Sequence, residues 1–275
     1  MTSTDVEQVV ATIHDHYTNR QDEAQRLSST LKGQLEQARV HELLTRYLSP
    51  PPARVADVGG GPGVHASWLA ERGYDVELLD PVEHHVDQAR AAGLQAVVGD
   101  ARRLPWPNES KDAVLMAGPM YHLTEPADRR LAIREAVRVL RPGGTLAVIA
   151  INRAANLIGS TLANTLERRQ PIVEQILHDG HSPANERMAN TYYHSVAQLR
   201  SELDRLVSQV RIHGLTGPGG WLTVLIDAHY RGTPMPPSLL EPNPLETALT
   251  CARLADHQPD LVHASSLFLA VGKRV

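Results

Sequence analysis

Cysteine is almost missing from this sequence: Cys251 is the single one in 275 residues. A lone thiol excludes an intrachain disulfide and any cysteine-based zinc site. An excess of basic charge is missing too. With 27 Lys and Arg against 31 Asp and Glu, the net charge is −4 and the isoelectric point near 6.4. That balance gives no reason to expect nucleic acid or an acidic membrane as partner. No run of about 20 apolar residues occurs, so no membrane span is expected. The opening "MTSTDVEQVV" lacks a basic flank followed by an apolar core and does not read as a signal peptide. Repeats and low-complexity segments are absent. The histidine pairs offer no metal site, because His84 and His85 sit on an outer helix and "HDH" at 14–16 alternates between helical faces. What remains is a 42% hydrophobic chain, able to bury a sizeable core in one domain or one domain with an inserted cap. The expectation is a soluble, cytoplasmic protein.

Two periodicities organise the chain. Apolar residues at helical spacing, from Val6 through Ile13 and again from Leu31 to Tyr47, predict a mostly helical region over 5–48. "LSPPPA" stops it. From "RVADVG" onward, short apolar runs alternate with helical stretches: "YDVELLD", "LQAVVGD", "DAVLMAG" and "TLAVIAIN" read as strands. "VHASWLAERG", "PVEHHVDQARAAG" and "PADRRLAIREAVRVLRPGG" read as helices, the last ended by Pro142 and its glycines. Such alternation predicts a parallel sheet covered on both faces. After Asn152 the pattern breaks into one or two helices over 154–181, a connecting loop over 183–193, and a helix at "VAQLRSELDRL". A strand at "VSQVRIHGL", a helix over "GPGGWLTVLIDAHY", a proline-rich loop at 231–244, a helix at 245–257 and a last strand in "VHASSLFLAVGKRV" complete the chain.

The stretch "VADVGGGPGVHASWLAERGYDVELLD", residues 55–80, poses a choice of ligand. A dinucleotide turn wants G-x-G-x-x-G. Counted from Gly59, the third glycine would fall on Val64; counted from Gly61, it falls on Ala66, with Gly63 second. Pro62 removes a backbone N–H from the turn, which weakens the second register. Asp57, inside the first strand, would repel a pyrophosphate but suits a ligand carrying an ammonium group. Asp80 ends the second strand, where a carboxylate can accept ribose hydroxyls. Asp100 follows the third strand, placed to accept from an adenine amino group.

Taken in order, "VADVGGGPG", "LLDP", "GDARRLP", "AVLMAGPMYHL" and "VLRPGG" resemble the motif series of class I S-adenosylmethionine-dependent methyltransferases, over about residues 54–151. The resemblance implies an α/β fold: a doubly wound, Rossmann-like, seven-stranded, mostly parallel sheet with an antiparallel last strand. To this it adds an N-terminal helical lid and a helical cap insertion. The implied division is a lid over 1–50, the cofactor-binding half over 51–152, a substrate cap over 153–194 and the rest of the domain over 195–275. The implied cofactor is S-adenosylmethionine, leaving as S-adenosylhomocysteine. Asp57, Gly59, Gly61 and Gly63 would hold its methionine portion, Asp80 with Pro81 the ribose, and Asp100 with Ala101 the adenine. Ala117 and Gly118 would line the site through their backbone. Tyr17 and Arg26, on the lid, would reach the carboxylate end.

On the acceptor side, Tyr121 and His122 follow the fourth strand and are the catalytic candidates, His122 as a base because imidazole titrates near neutrality. Tyr192, Tyr193 and His194 in "NTYYHS", with Arg153 and Trp221, are candidate acceptor contacts. A polar-aromatic and apolar cap suits a small aromatic or heteroaromatic acceptor. The resemblance implies in-line methyl transfer to such a molecule in bacterial specialised metabolism, with indole alkaloids among the acceptors. Two rivals stay open: a non-catalytic S-adenosylmethionine-binding accessory protein and an NAD(P)-dependent oxidoreductase. The helical arm and the cap each offer a homodimer surface.

Overall fold

Strands that are apolar on both sides need cover on both sides, and ten helices supply it among the described residues. The computed structural model describes residues 27–184, 189–234 and 243–275. The strands are β1 (Arg54–Val58), β2 (Asp75–Asp80), β3 (Gln95–Val98), β4 (Lys111–Met116), β5 (Leu140–Ile151), β6 (His181–Ser182), β7 (Thr191–Tyr192), β8 (Val207–Gly214) and β9 (Leu267–Arg274). The first half of the chain carries the helices α1 (Leu31–Tyr47), α2 (Val64–Ala70), α3 (Glu83–Ala91), α4 (Pro119–His122) and α5 (Pro126–Val139). The second half carries α6 (Ala155–Leu162), α7 (Leu166–Asp179), α8 (Val196–Leu203), α9 (Gly219–Tyr230) and α10 (Pro244–Ala255).

Seven strands form one sheet in the order β3-β2-β1-β4-β5-β9-β8, while β6 and β7 pair separately. β1 to β5 run parallel, and β9 is antiparallel to both β5 and β8. The Rossmann-like class expected from the sequence is therefore present. β1 lies between β2 and β4, so the chain winds outward in both directions from it. The crevice beyond the carboxyl ends of β1 and β4 is the switch point where such sheets take ligands.

Side chains alternate through the sheet with period two. Ala56 and Val58 of β1, Val114 and Met116 of β4, and Leu146 and Val148 of β5 join one apolar cluster with Ala132, Ile133 and Ala136 of α5 and Leu199 of α8. Val55, Ala113, Leu115 and Ile149 point the other way, against Leu43 and Leu44 of α1, Leu69 of α2 and Val86 of α3. Asp57 falls on this second face and is fully buried.

α1 is tied down at both ends. Asp227 of α9 accepts from the Leu31 and Lys32 amides at 2.8 and 3.1 Å, which answers the unpaired donors of the first turn. Arg39 is fully buried and bridges Glu42 and Asp256 at 2.6 Å each. Tyr47 Oη lies 2.7 Å from His213 Nε2. α1, the described part of the expected lid, is thus packed onto the core. Three local boundaries also differ from the sequence reading. α5 stops at Val139, and β5 begins at Leu140, ahead of "RPGG". Its register against β4 shifts there, so Pro142 and the glycines bulge within the strand instead of ending a helix. Part of the expected loop at 183–193 is strand, since Thr191 and Tyr192 pair with Ser182 and His181. The last strand opens only at Leu267, after a 3-10 turn at Pro259–Ala264.

Candidate active site

Beyond the ends of β1, β2 and β4 opens a cleft. The turn after β1 forms its floor. Gly59 and Gly61 have φ of 72° and 57°, a region open to glycine and strained for other residues. A Cβ at Gly59 would stand 2.7 Å from Pro119 Cδ, so the close approach of the two loops also requires glycine. The turn's amides are largely committed inside the protein. Gly59 N–H donates to Leu79 O at 2.7 Å, Gly61 N–H to Asp80 Oδ2 at 2.8 Å and Gly63 N–H to Gly60 O at 3.1 Å. Pro62 has none to give. A pyrophosphate seat needs such amides turned outward, and here a carboxylate from β2 already occupies one.

Asp57 sits beneath this turn rather than in the cleft wall. It is fully buried, and the backbone amide of Ala66 is the group that approaches its carboxylate. Burial, and then the charge of Asp80, raise its pKa to about 7, with the Ala66 amide offsetting part of the rise. Asp57 therefore underlies the turn without entering the cleft wall. Gly63 likewise lies outside the wall; its job is packing, since a Cβ there would strike Leu94 Cδ1 at 2.4 Å.

The other strand-end residues do line the cleft: Asp80, Pro81, Asp100, Ala101, Ala117 and Gly118. Asp80 accepts from Gly61 and Val82 amides and meets His85 Nδ1 at 3.3 Å. The Asp100 carboxylate is clamped by Arg102, whose Nη2 lies at 2.5 Å and whose Nη1 reaches Asp128 at 2.9 Å. Tyr121 and His122 form the facing wall, their rings 4.7 Å apart on the short helix α4. Leu27, Val40, Ile149, Leu215 and Leu267 close that side with apolar surface.

Sequence reasoning missed several wall residues. His85 is buried and faces Asp80, although the sequence suggested an outer helix. The available signal was that α3 starts at the ligand edge, so its first turn must look into the crevice. His65, one residue into α2, also lines the cleft, and its Nδ1 lies 3.3 Å from His41 Nε2. His41 stacks on Trp68 at 3.9 Å; burial, then Arg72, lower its pKa to about 4, which keeps it neutral. Glu36, buried on α1 and bridged to Lys32, had no local signal at all.

Five expected acceptor contacts stand elsewhere. Arg153 braces the cap, donating to Gln198 Oε1 at 2.6 Å and to backbone carbonyls of Tyr193 and His178. Tyr192, Tyr193 and His194 are buried behind α4, where the sheet end and the β6–β7 pair meet, and are not in the cleft wall. Trp221 donates to Ala264 O at 2.6 Å, again away from the wall. The polar aromatics of this stretch form a buried cluster, and local sequence does not say whether such a cluster meets a ligand. Tyr17 and Arg26 lie outside the described residues. Among the described residues, no group of three or more His, Cys, Asp or Glu is arranged to hold a metal ion, and no helix is long and apolar enough to cross a membrane.

A family model described as "Methyltransferase domain" matches residues 56–148. This stretch is similar to a methyltransferase domain. That matched stretch runs from β1 into β5 and so contains the glycine turn, Asp80, Asp100, Tyr121 and His122. An uncharacterized methyltransferase of Mycobacterium tuberculosis is 43% identical over 106 residues, 38% of this chain and 42% of that protein. The malonyl-[acyl-carrier protein] O-methyltransferase of Methylococcus capsulatus is 33% identical over 180 residues, 58% of this chain and 64% of that one. The chain thus spans from under half to just under two thirds of the length of these curated relatives. A SAM-dependent methyltransferase of Thermotoga maritima shares the fold across 97% of this chain and all of its own, with a TM-score of 0.58 at 18% identity. Outside the matched stretch, β9 and β8 complete the seven-stranded sheet.

Proposed function

We propose that the chain transfers a methyl group from S-adenosylmethionine to a small, apolar, aromatic or heteroaromatic acceptor in bacterial specialised metabolism. The observation that carries this reading is the two-sided cleft. One side presents a glycine turn with Asp80, Asp100 and Ala101; the other presents Tyr121 and His122 set among leucines. The residues fit the cofactor. Gly59, Gly60 and Gly61 line the cleft with backbone alone, and Asp80 keeps lone pairs beyond those taken by Gly61 and Val82. Asp80 would accept the ribose hydroxyls, and the Asp100–Ala101 step would take the adenine edge. Gly59, Gly61, Ala117 and Gly118 would bound the methionine arm.

When bound, the cofactor supplies a methyl group made electrophilic by its sulfonium. The chain's own work is then positional. Tyr121 and His122 orient the acceptor's nucleophile, and Ile149, Leu215 and Leu267 keep water from it. The His122 imidazole takes the proton of a hydroxyl or N–H acceptor, should one have to leave. The dinucleotide alternative loses support because the turn's amides are spent within the protein.

Titration calorimetry with S-adenosylmethionine, S-adenosylhomocysteine and NADH tests the reading. The expected outcome is micromolar binding of the first two and none of the third. Binding of NADH alone would overturn it. Binding of S-adenosylmethionine without turnover across a library of aromatic hydroxyl, amine and indole acceptors would leave a cofactor-binding accessory protein instead.

A further inference from the structure

Directly behind the wall formed by Tyr121 and His122 lies a buried ionic cluster outside the cleft. Arg129, at the end of the first turn of α5, is 1% exposed. Its Nη1 donates to Leu123 O at 3.0 Å and to Thr124 O at 2.7 Å, while Nε donates to Glu202 Oε1 at 3.0 Å. The guanidinium plane lies 3.6 Å from the ring centre of Tyr192. Glu202 Oε2 in turn lies 3.3 Å from His194 Nε2, and the Tyr192 and His194 rings meet edge to face at 4.7 Å. Arg129 thus links the two residues following His122 to β7 and α8, which lie more than 60 residues further along the chain.

The location has a physical reason. A helix of only four residues, as α4 is, leaves its last carbonyls without amides one turn further on. Leu123 and Thr124 immediately follow it, and Arg129 takes both of their carbonyls. A lysine could not replace it, because one ammonium cannot serve two carbonyls and a carboxylate in plane while stacking on a ring. The charges behind Arg129 are consistent. Burial alone would raise the Glu202 pKa, but His194 and Arg129 outweigh it and hold the carboxyl below its ordinary range. Burial holds His194 below its ordinary value, against the pull of Glu202. Its Nδ1 has no partner among the described residues, as fits a neutral ring donating from Nε2.

We propose that Arg129, backed by Glu202 and the Tyr192–His194 pair, is a positioning residue that sets Tyr121 and His122 in the cleft wall and couples their placement to the β6–β7 hairpin. The proposal rests on the reading of His122 as an acceptor-side residue. It gives the polar aromatics of "NTYYHS" a role in the site without contact with the acceptor.

The test follows His122 itself in the full chain. Modification of His122 by diethyl pyrocarbonate is timed by peptide mass spectrometry in wild type, Arg129→Lys, Arg129→Met and Glu202→Gln. S-adenosylhomocysteine affinity and thermal midpoint are measured beside it. The expected result is a change of at least about fivefold in His122 reactivity in Arg129→Lys, in the same direction and smaller in Glu202→Gln, with S-adenosylhomocysteine affinity within about threefold of wild type. An unchanged His122 rate with a lowered thermal midpoint would make the cluster structural only and overturn the proposal. If both Arg129 variants fail to fold, Glu202→Gln decides alone, since it removes the charge and keeps the shape. Loss of S-adenosylhomocysteine binding in wild type would sink the methyltransferase reading separately, whatever His122 does.

Discussion

Replacing Arg39 with methionine should destabilise this protein severely, and the size of the effect can be worked from its surroundings. The Arg39 side chain is fully buried and Asp256 is 3% exposed, with 2.6 Å between Nη2 and Oδ2. Methionine keeps much of the packing volume but leaves the buried Asp256 with only His213 at 3.3 Å and the exposed Arg46 at 3.7 Å in place of its close cation. Breaking a buried pair from one side costs roughly 3–5 kcal/mol. For a chain of this size that is about 6–20 °C of thermal midpoint, at some 2–4 °C per kcal/mol. The loss should depend on pH, with a definite sign. Burial alone would push the Asp256 pKa up, but hydrogen bonds from His213 and Arg39 more than offset it and lower it. A carboxylate depressed in the folded state contributes stability above its unfolded value, and that contribution fades as pH falls through the folded value. The penalty of Arg39→Met should therefore be full at pH 7 and shrink below about pH 4. Combining it with Asp256→Asn, which keeps an acceptor for His213, should cost clearly less than the sum of the two single changes. Urea unfolding followed by circular dichroism measures all of this. A loss under about 1 kcal/mol, or equal losses at pH 7 and pH 3.5, would refute the argument. Because Glu36 and Val40 flank Arg39 on α1 and line the cleft, cofactor affinity should weaken in the same variant.

Two more outcomes follow from the glycine turn. Asp57→Asn should gain stability relative to wild type as pH rises from 4 to 8. The folded pKa near 7 lies above the unfolded value, so wild type loses stability as pH rises through that window. Denaturant midpoints at both ends should show a gap that widens by roughly 2–4 kcal/mol; a gap independent of pH would mean that Asp57 is not held protonated. Gly59→Ala combines a positive φ with a Cβ 2.7 Å from Pro119 Cδ. It should weaken S-adenosylhomocysteine binding by about tenfold or more, as calorimetry would report, given the roughly 1–2 kcal/mol cost of that backbone region together with the clash. An affinity within about twofold of wild type would show that the two loops are free to part.

The residues of the chain by themselves determined the sheet, the glycine turn and the strand-end acids, because each is written in a local pattern. Apolar runs bounded by glycine and proline mark buried strands. Once five strands alternate with helices, right-handed crossovers leave no freedom about which ends share an edge. Asp80, Asp100, Ala117, Gly118, Tyr121 and His122 could be gathered on one rim from that rule alone. Which side chains turn into the rim was decided only in three dimensions. Asp57 lies one residue inside the end of β1 and Asp80 ends β2, and packing sets one beneath the turn and the other into the cleft. His85 looked like an outer-helix residue and faces the site, since only the packing of α3 on β2 fixes which arc of the helix looks inward. Glu36, Val40 and Leu215 reach the wall from elements far away in sequence, and nothing local could foretell it. The same holds for "NTYYHS": its composition announces a polar cluster, but whether such a cluster touches a ligand or clasps an arginine from another helix depends on tertiary contacts. Local physics writes the elements and their ends, whereas the side chains that meet at a site are set by how distant elements pack.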